Sequence, residues 1–288
     1  MRTIVLIPVH QATEFFNETA KHLYKLDPQP DLYIFTENNS TDRTLDLIQQ
    51  FDRPKKVIRL QFPDEAARSG CLRAGKPDGT VHDVIGAIRQ TLLQAARQVD
   101  PDFAILLDSD VRVRSYDLIR RLTRWSDDPV YRRDQVDIVC GPIRRHSPWG
   151  TQFAAFRFGS TREEFHTIEN RPPLTRILDE VLLAGGGCMC LPRSVIQDKR
   201  LYFYPVIHPE LGEENTIIRK QATQANFPIP NFSEDVAFSL HARKLGYRFF
   251  LDWSVFLDHW VDDRTKPWTV THPDDPPETG VGTWLLGD

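Results

Sequence analysis

Three short apolar segments, each followed by polar residues, constrain the fold of this chain more than any other feature. They are Thr3–Val9, Leu32–Thr36 and Phe103–Leu107, and helical patterns separate them along the chain. Apolar runs of this length predict strands buried on both faces, and strands that alternate with helices predict a mostly parallel, doubly wound sheet. In such sheets ligands bind beyond the carboxyl ends of the strands. The sequence therefore predicts an α/β fold with a site where these strands end.

Further strands and helices are predicted along the rest of the chain. The strands are Val57–Leu60, Val136–Pro142, Leu182–Leu191 and Tyr247–Leu251. Apolar residues at helical spacing predict helices that bury Phe16, Ala20 and Leu23, then Leu45, Ile48 and Phe51, and further helices at Asp83–Val99, Tyr116–Trp125 and Ser233–Leu245. In the last helix, Ser233 is the expected N-cap, Val236, Ala237, Leu240 and Leu245 are expected to face inward, and Gly246 follows the end. Residues 62–82 and 202–231 are expected to form loops, and residues 144–173 to be irregular.

The third apolar segment ends in Asp108-Ser109-Asp110. Alternate side chains of an extended chain point the same way, so both carboxylates are expected to face one place. Two adjacent carboxylates repel each other unless a cation lies between them, and oxygen ligands at a strand's end suit Mg²⁺ or Mn²⁺ carried in with a phosphate. The alternative is an acidic turn without a metal, because Asp and Ser are common in turns.

Composition limits the class of protein. Hydrophobic residues make up 40% and charged residues 26% of the chain, as in an ordinary globular protein. No apolar run approaches the roughly 18 residues that span a bilayer, and the first residues do not form a signal peptide. The four cysteines, Cys71, Cys140, Cys188 and Cys190, lack the spacing of a zinc site. We therefore expect reduced thiols in a cytoplasmic protein.

The distribution of charge is uneven. The net charge of −4 argues against general nucleic-acid binding, yet residues 112–145 contain nine arginines and five aspartates. This segment is either a solvated surface paired with its own acids or a surface that attracts an anion. A basic surface of this kind allows an anionic acceptor, such as a lipid phosphate, an acidic small molecule or modified bases in DNA, and a peripheral position at a membrane.

Two other patterns allow both a structural and a functional interpretation. Three successive glycines interrupt the apolar segment Leu182–Leu191, which is best explained by the close approach of another backbone or of a ligand. Aromatic residues are frequent between residues 144 and 173, where they either belong to the core or stack on sugar faces.

Taken together, these segments resemble the family 2 glycosyltransferases and their relatives with the GT-A nucleotide-diphospho-sugar transferase fold. Four blocks carry the resemblance, over roughly residues 3–260. They are the first strand with Pro8-Val9-His10, the turn Glu37–Asp42, the Asp108-Ser109-Asp110 motif, and the block formed by Leu183–Val195 and Phe232–His259. The last block looks like the family's Gly-Gly strand, Glu-Asp helix and terminal His.

The resemblance implies a Rossmann-like nucleotide half fused to a smaller acceptor-binding half. Residues 1–113 would bind a UDP- or GDP-linked sugar, and residues 114–262 would form the catalytic and acceptor-binding half of the same domain. Apart from the resemblance, the sequence of residues 263–288 allows either a tail folded over the site or a mobile terminus. A hydroxyl acceptor would be glycosylated without processivity, because the family's Gln-x-x-Arg-Trp motif is absent.

The family's roles carry over to individual residues as expectations. The metal, Mn²⁺ or Mg²⁺, would be held by Asp108, Asp110 and His259, and the catalytic acids would be Asp235 as general base with Glu234 beside it. The expected donor-binding residues are Pro8, Val9, His10, Glu37, Asn38, Ser109, Gly186 and Gly187.

Departures from the family pattern keep alternatives open. His10-Gln11 replaces a Tyr-Asn pair, and Glu37-Asn38 replaces two aspartates. An inverting mechanism with Asp235 as base is implied, but a retaining mannosyl- or glucosyltransferase of the same fold is also compatible, as is a silent sugar-nucleotide-binding module. A sugar-nucleotide pyrophosphorylase is disfavoured, because the sequence after the first strand lacks the glycine-rich loop that such an enzyme needs.

Overall fold

The structure, a computed structural model, describes residues 1–62, 80–126, 136–147, 150–158, 165–168, 177–203, 234–260 and 268–270. Most of the two predicted loops, residues 63–79 and 204–233, and with them Cys71 and the predicted N-cap Ser233, lie outside the described residues.

The elements alternate between strand and helix in the first half of the chain. The strands are β1 (Thr3–Val9), β2 (Leu32–Asn38), β3 (Lys55–Leu60), β4 (Phe103–Leu107), β5 (Val111–Val113), β6 (Ile138–Cys140), β7 (Arg144–Ser147), β8 (Gly150–Phe153), β9 (Ala155–Phe158), β10 (Phe165–Thr167), β11 (Leu178–Val181), β12 (Leu183–Ala184), β13 (Cys188–Pro192), β14 (Phe249–Asp252), β15 (Leu257–Trp260) and β16 (Trp268–Val270). The α-helices are α1 (Phe16–Leu23), α2 (Thr44–Gln50), α3 (Thr80–Val99), α4 (Leu118–Thr123), α5 (Arg193–Gln197) and α6 (Glu234–Lys244), and a 3₁₀ turn at Arg124–Ser126 follows α4.

Eight strands form the central sheet, in the order β11-β14-β6-β13-β4-β1-β2-β3. The pairs β1–β2, β1–β4, β2–β3 and β6–β14 are parallel, whereas β13 runs antiparallel to both of its neighbours and β11 runs antiparallel to β14. The predicted mostly parallel α/β sheet is therefore confirmed.

Both faces of the sheet are covered, as the apolar strands predict. In β1, Ile4 and Leu6 belong to one hydrophobic core, while Val5 and Ile7 belong to the other. Helices α3, α5 and α6 pack on the first face, and α1, α2 and α4 pack on the second. The strand is buried on both sides because side chains alternate and helices on each face cover them. The doubly wound arrangement is confirmed.

The second strand is longer than the apolar pattern predicts. It includes Glu37 and Asn38, which are paired in register with Arg59 and Leu60 of β3, and Glu37 is also paired with Val9 of β1. Hydrogen bonds to both neighbouring strands extend β2 into a polar sequence that we expected to be a turn. The polar side chains are thereby held on the rigid end of the sheet.

Other predicted elements are present with ends that differ by a few residues, but two predictions were wrong. Within residues 144–173, expected to be irregular, the structure has β7–β8 as a hairpin and β9 and β10 paired antiparallel. Strands of three or four residues are too short to show an alternation of apolar and polar residues. Whether they form is decided by pairing with neighbouring strands. The single strand predicted at Leu182–Leu191 is divided into β12 and β13, because the backbone turns at the three glycines.

Helix α6 buries a different face from the one predicted. Ala237 is buried as expected, but Val236 and Leu240 are only half-buried, whereas Glu234 and Asp235 are 4% and 8% exposed. The helix is turned so that its two acids point into the protein. Its end is as predicted, with Gly246 at a φ of +97°.

A small antiparallel sheet flanks the end of β4. It has the order β16-β15-β5. The middle strand β15 pairs antiparallel with β5, which follows the turn after β4, and with β16. Among the helices that the structure describes, none combines the length and apolar character needed to cross a bilayer.

Candidate active site

The loops after β1 and β2 are joined by a contact between His10 and Asn38. The Nδ1 atom of His10 lies 2.6 Å from the carbonyl oxygen of Asn38, so this nitrogen carries the proton and donates. Asn38 is 1% exposed, and its Oδ1 atom has no hydrogen-bond partner among the described residues. A buried acceptor without a partner is costly, which makes this amide a candidate for binding a ligand group.

Glu37 lies beside this pair and is engaged within the protein. Its side chain is 2% exposed, and it accepts a hydrogen bond of 2.8 Å from the Ser40 backbone N–H and one of 3.3 Å from Arg59 Nε. The Arg59 side chain is 59% exposed. The pair therefore presents the guanidinium, rather than the carboxylate, towards solvent.

Asn39 connects the loop after β2 to the chain after β3. Its Nδ2 atom donates to the Phe62 carbonyl over 3.0 Å, and its Oδ1 atom accepts from the Phe62 N–H over 2.8 Å. Its φ of +44° lies in the left-handed region, which Asn tolerates better than most residues. Gln11, also at a φ of +44°, is bonded through its N–H to Ser40 Oγ. The loops that follow three adjacent strands are thus held together.

Asp108 and Asp110 lie in a hydrogen-bonded turn rather than an extended chain. The Val111 N–H donates to the Asp108 carbonyl over 3.1 Å. The expectation of an extended chain was therefore wrong, and the two carboxylates have different partners.

Asp108 is bound by Arg89 of helix α3. The Nη2 atom of Arg89 lies 2.8 Å and 2.9 Å from the two carboxylate oxygens, and the Asp108 N–H donates to the Gly187 carbonyl over 2.9 Å. Arg89 is 4% exposed and was missed in the sequence, where it stands on the inward side of an amphipathic helix. A charged residue amid apolar positions of one helix face was the signal available.

Asp110 faces His259 of β15. Its Oδ2 atom lies 3.5 Å from His259 Nε2, and its backbone carbonyl accepts from the Trp260 N–H over 2.8 Å. Asp110 Oδ1 and His259 Nδ1 are buried atoms with no hydrogen-bond partner among the described residues. Burial raises the pKa of Asp110 above its ordinary value, the nearby His259 opposes this, and the Asp108 charge adds to it.

The two acids at the start of α6 reach the same region. Glu234 Oε1 lies 2.7 Å from Arg89 Nη1, and Asp235 Oδ2 accepts a hydrogen bond of 3.1 Å from the Gly186 N–H. Asp235 Oδ1 accepts from the Val236 N–H over 2.8 Å. The acids are therefore oriented by one guanidinium and by backbone donors.

The remaining predicted donor-binding residues are placed less directly. Val9 is 1% exposed and packs in the hydrophobic core, while Pro8 lies inside β1 opposite Thr36. Ser109 is 7% exposed, and its carbonyl accepts from Thr19 Oγ1 of α1 over 2.8 Å.

A divalent cation fits only part of the predicted ligand set. The described residues contain no group of three or more His, Cys, Asp or Glu side chains arranged to hold a metal ion. Asp110 and His259 do fit, since an unpartnered carboxylate oxygen lies beside an imidazole and both are common metal ligands. Asp108 is bound by Arg89.

Four arginines of the basic segment have acidic partners within the protein, and three of the cysteines are buried. Arg112 and Arg114 pair with the buried Asp258, Arg121 with Asp117, and Arg124 with the buried Asp252. Of the cysteines, Cys140, Cys188 and Cys190 are free and buried. For these four arginines, the pairs favour a surface neutralised by its own acids, and residues 127–135 of the segment lie outside the described residues.

No protein-family model matches the chain, and no curated protein matches it by sequence. Solved structures do resemble its fold. S. aureus TarS 1–349 in complex with UDP-GlcNAc has a TM-score of 0.48 at 15% identity, over 87% of this chain and 56% of that one. A longer TarS chain has a TM-score of 0.47 at 15% identity, over 88% of this chain and 35% of that one. This protein therefore covers only about a third to a half of the TarS chains that it resembles.

Two further structures are similar at the same level. The mannosyltransferase PcManGT from Pyrobaculum calidifontis, in complex with GDP-Man and Mn²⁺, has a TM-score of 0.46 at 14% identity, over 86% of this chain and 53% of that one. A197 from STIV has a TM-score of 0.42 at 14% identity, over 91% of this chain and 87% of that one. A likeness at these values assigns no role to any side chain of this protein.

The two hydrogen bonds between the Asn39 side chain and the Phe62 backbone predict a stability difference between two variants. Asn39→Ala should lower the free energy of unfolding by about 2–4 kcal/mol, because it removes two hydrogen bonds and places an alanine at positive φ. Asn39→Gly removes the same bonds but tolerates that φ, so its loss should be about 1–2 kcal/mol. Urea unfolding measures both, and equal losses would contradict a contribution from backbone conformation.

The Asp110–His259 pair predicts a metal-dependent effect. Asp110→Ala should weaken binding of UDP or GDP at least about 10-fold in Mn²⁺ and little in EDTA, because loss of even an outer metal partner has an effect of this size. Calorimetry with and without Mn²⁺ measures this, with Asp46→Ala on the exposed side of α2 as the control. An equal loss in both conditions would indicate damage to the fold instead.

Proposed function

We propose that this protein is a metal-dependent, non-processive glycosyltransferase that moves a sugar from a nucleotide-diphospho-sugar to an acceptor hydroxyl. The observation that carries the proposal is the convergence of Asp108 and Glu234 on one buried guanidinium at the carboxyl ends of the parallel strands, with Asp235 beside Glu234 and the Asp110–His259 pair nearby. Sheets of this type bind ligands at that edge. The resemblance to family 2 glycosyltransferases supports the same reaction.

Asp235 is proposed as the general base. Its two oxygens each accept one backbone N–H, so the carboxylate is oriented and keeps lone pairs for a further proton. It lies in the first turn of α6, where the positive end of the helix dipole favours the ionised form. It would remove the proton from the acceptor hydroxyl as that oxygen attacks the anomeric carbon and the bond to the diphosphate breaks.

The donor would lie across the ends of β1, β2 and β4. A divalent cation held by Asp110 and His259 would neutralise the diphosphate as it leaves. His10, Asn38 and the Glu37–Arg59 pair would contact the nucleotide, with the buried Asn38 Oδ1 as an acceptor for an N–H of the base. Gly186 and Gly187 would allow the donor sugar to approach the backbone.

The acceptor is proposed to be a hydroxyl compound. Because Arg112, Arg114, Arg121 and Arg124 all have acidic partners, they do not support an anionic acceptor. A retaining enzyme with the same residues would deliver the product with the donor's anomeric configuration, whereas Asp235 as base requires inversion.

Incubation with UDP-, GDP- and dTDP-linked sugars tests the proposal directly. Slow release of a nucleoside diphosphate from one donor in Mn²⁺, lost in EDTA, is the expected result, with water replacing the acceptor. The anomeric configuration of the released sugar, followed by NMR, then separates inversion from retention. Binding of a donor without any release would instead identify a silent binding module, and absence of binding as well as release would overturn the proposal.

Substitution of the proposed base gives a second test. Asp235→Asn should lower the turnover of the hydrolysed donor by about 10²–10⁴-fold, which is the usual contribution of a general base. Donor affinity should change little, because the amide keeps the size of the side chain. Asp46→Asn, an equivalent change on exposed α2, should leave turnover unaltered, and unaltered turnover in Asp235→Asn would exclude it as the base.

A further inference from the structure

Arg89 is the only described residue that contacts acids from both sides of the site. One of its terminal nitrogens, Nη2, binds both oxygens of Asp108, and the other, Nη1, lies 2.7 Å from Glu234 Oε1. Asp108 follows β4, on the side where the donor would bind, and Glu234 begins α6, which carries the proposed base. The planar guanidinium therefore bridges two elements that are far apart in sequence.

The glycine turn before β13 is built around this guanidinium. A Cβ atom at position 186 would lie 1.9 Å from Arg89 Nη1 and 2.6 Å from Cζ, so no side chain fits there unless Arg89 moves. A Cβ at position 187 would lie 3.1 Å from Asp108 Oδ2 and 2.5 Å from the Ile143 side chain. The same Gly186 donates its N–H to Asp235. The close approach predicted from the triple glycine is thus an approach to an arginine.

The charges around Arg89 hold it in place. Burial by itself would lower the pKa of this guanidinium, but Asp108, Glu234 and Asp235 outweigh burial and raise it above its ordinary value. Arg89 is therefore a permanent cation that contacts two carboxylates, with the charge of Asp235 acting on it as well. Without it, the buried Glu234 would lose the ion pair with Arg89, and its position would change.

We propose that Arg89 is a positioning residue that couples the donor side of the site to the proposed base, by fixing Asp108, Glu234 and the Gly186–Asp235 contact in one arrangement. The planar, two-pronged guanidinium suits this role, because a lysine ammonium is a point charge that cannot span both carboxylates in the same way. The inference rests on the proposed function for its catalytic consequence, but the coupling itself is a property of the fold.

The structural part of the proposal is tested without any substrate. In Arg89→Lys, we expect the Gly186 and Val236 amides, which both donate to Asp235, to exchange with deuterium about 10- to 100-fold faster than in the unmodified protein. Loss of a hydrogen bond to a charged group has an effect of this size. Gly186→Ala should produce the same acceleration at Val236, because its Cβ displaces Arg89 from the other side.

A matched control is available on the same helix. Arg97 donates to the carbonyls of Ile196, Asp198 and Leu201 at the far end of α3 and contacts none of the site residues. Arg97→Lys is therefore expected to leave exchange at Gly186 and Val236 unchanged. If Arg97→Lys accelerates it equally, or if Arg89→Lys does not accelerate it, the coupling is overturned.

The catalytic part is tested by separating turnover from binding. Arg89→Lys should lower donor turnover about 100-fold, the usual consequence of misplacing a catalytic group by about 1 Å, while the Kd for UDP or GDP changes less than about 3-fold. Glu234→Gln, which keeps an oxygen to accept from Arg89, should retain more turnover than Glu234→Ala. The double variant Arg89→Lys with Gly186→Ala should be no worse than either single variant, since both disrupt one contact.

Each alternative has a distinct outcome. A Kd that rises in proportion to the loss of turnover would make Arg89 a ligand of the donor and overturn the positioning role. Unchanged turnover together with altered exchange would reduce Arg89 to a stabilising residue and also overturn it. If the unmodified protein neither binds nor hydrolyses any donor, the proposed function fails, while the exchange measurement still decides whether Arg89 couples the two acids to Gly186.

Discussion

The buried guanidinium of Arg89 among three carboxylates is the interaction on which the rest of the site depends. Removing one member of a buried ion pair typically costs about 3–5 kcal/mol, because the remaining charge stays buried without compensation. Arg89 meets Asp108 from the central sheet, Glu234 from α6 and the backbone of the glycine turn. The positions of these three elements are therefore linked through one side chain rather than through the hydrophobic core alone.

Different interactions hold the two ends of the site in place. At the ends of β1, β2 and β3, side-chain to backbone hydrogen bonds such as those of Asn39 with Phe62 fix the loops, beside the buried Glu37 and its exposed partner Arg59. At the end of β4, Arg89 holds Asp108 and Glu234, and a buried oxygen of Asp110 beside His259 has no hydrogen-bond partner within the part of the chain that the structure describes. The first arrangement suits recognition of a neutral base, and the second suits a cation and a leaving diphosphate.

Much of the fold could be predicted because its signals are local. The apolar runs at β1, β2 and β4 and the inward residues of α1 are properties of short segments, and all are found. The short strands β7–β10 could not be predicted, since three or four residues carry no readable period and form strands only through pairing. The buried face of α6 was also missed, because it contains Glu234 and Asp235, and an acid is buried only when a partner from elsewhere compensates its charge.

For the site, the sequence by itself determined which polar residues stand at two strand ends, Glu37-Asn38 and Asp108-Ser109-Asp110. It also determined that two acids, Glu234 and Asp235, stand at the start of a helix. Only the tertiary structure decided which of them meet. Asp108 and Asp110 lie on a turn and have different partners, and Asp108 binds Arg89, an arginine 19 positions earlier that no local pattern connects to it. The physical reason is that burial and charge compensation act through space, whereas a sequence pattern records only the neighbours along the chain.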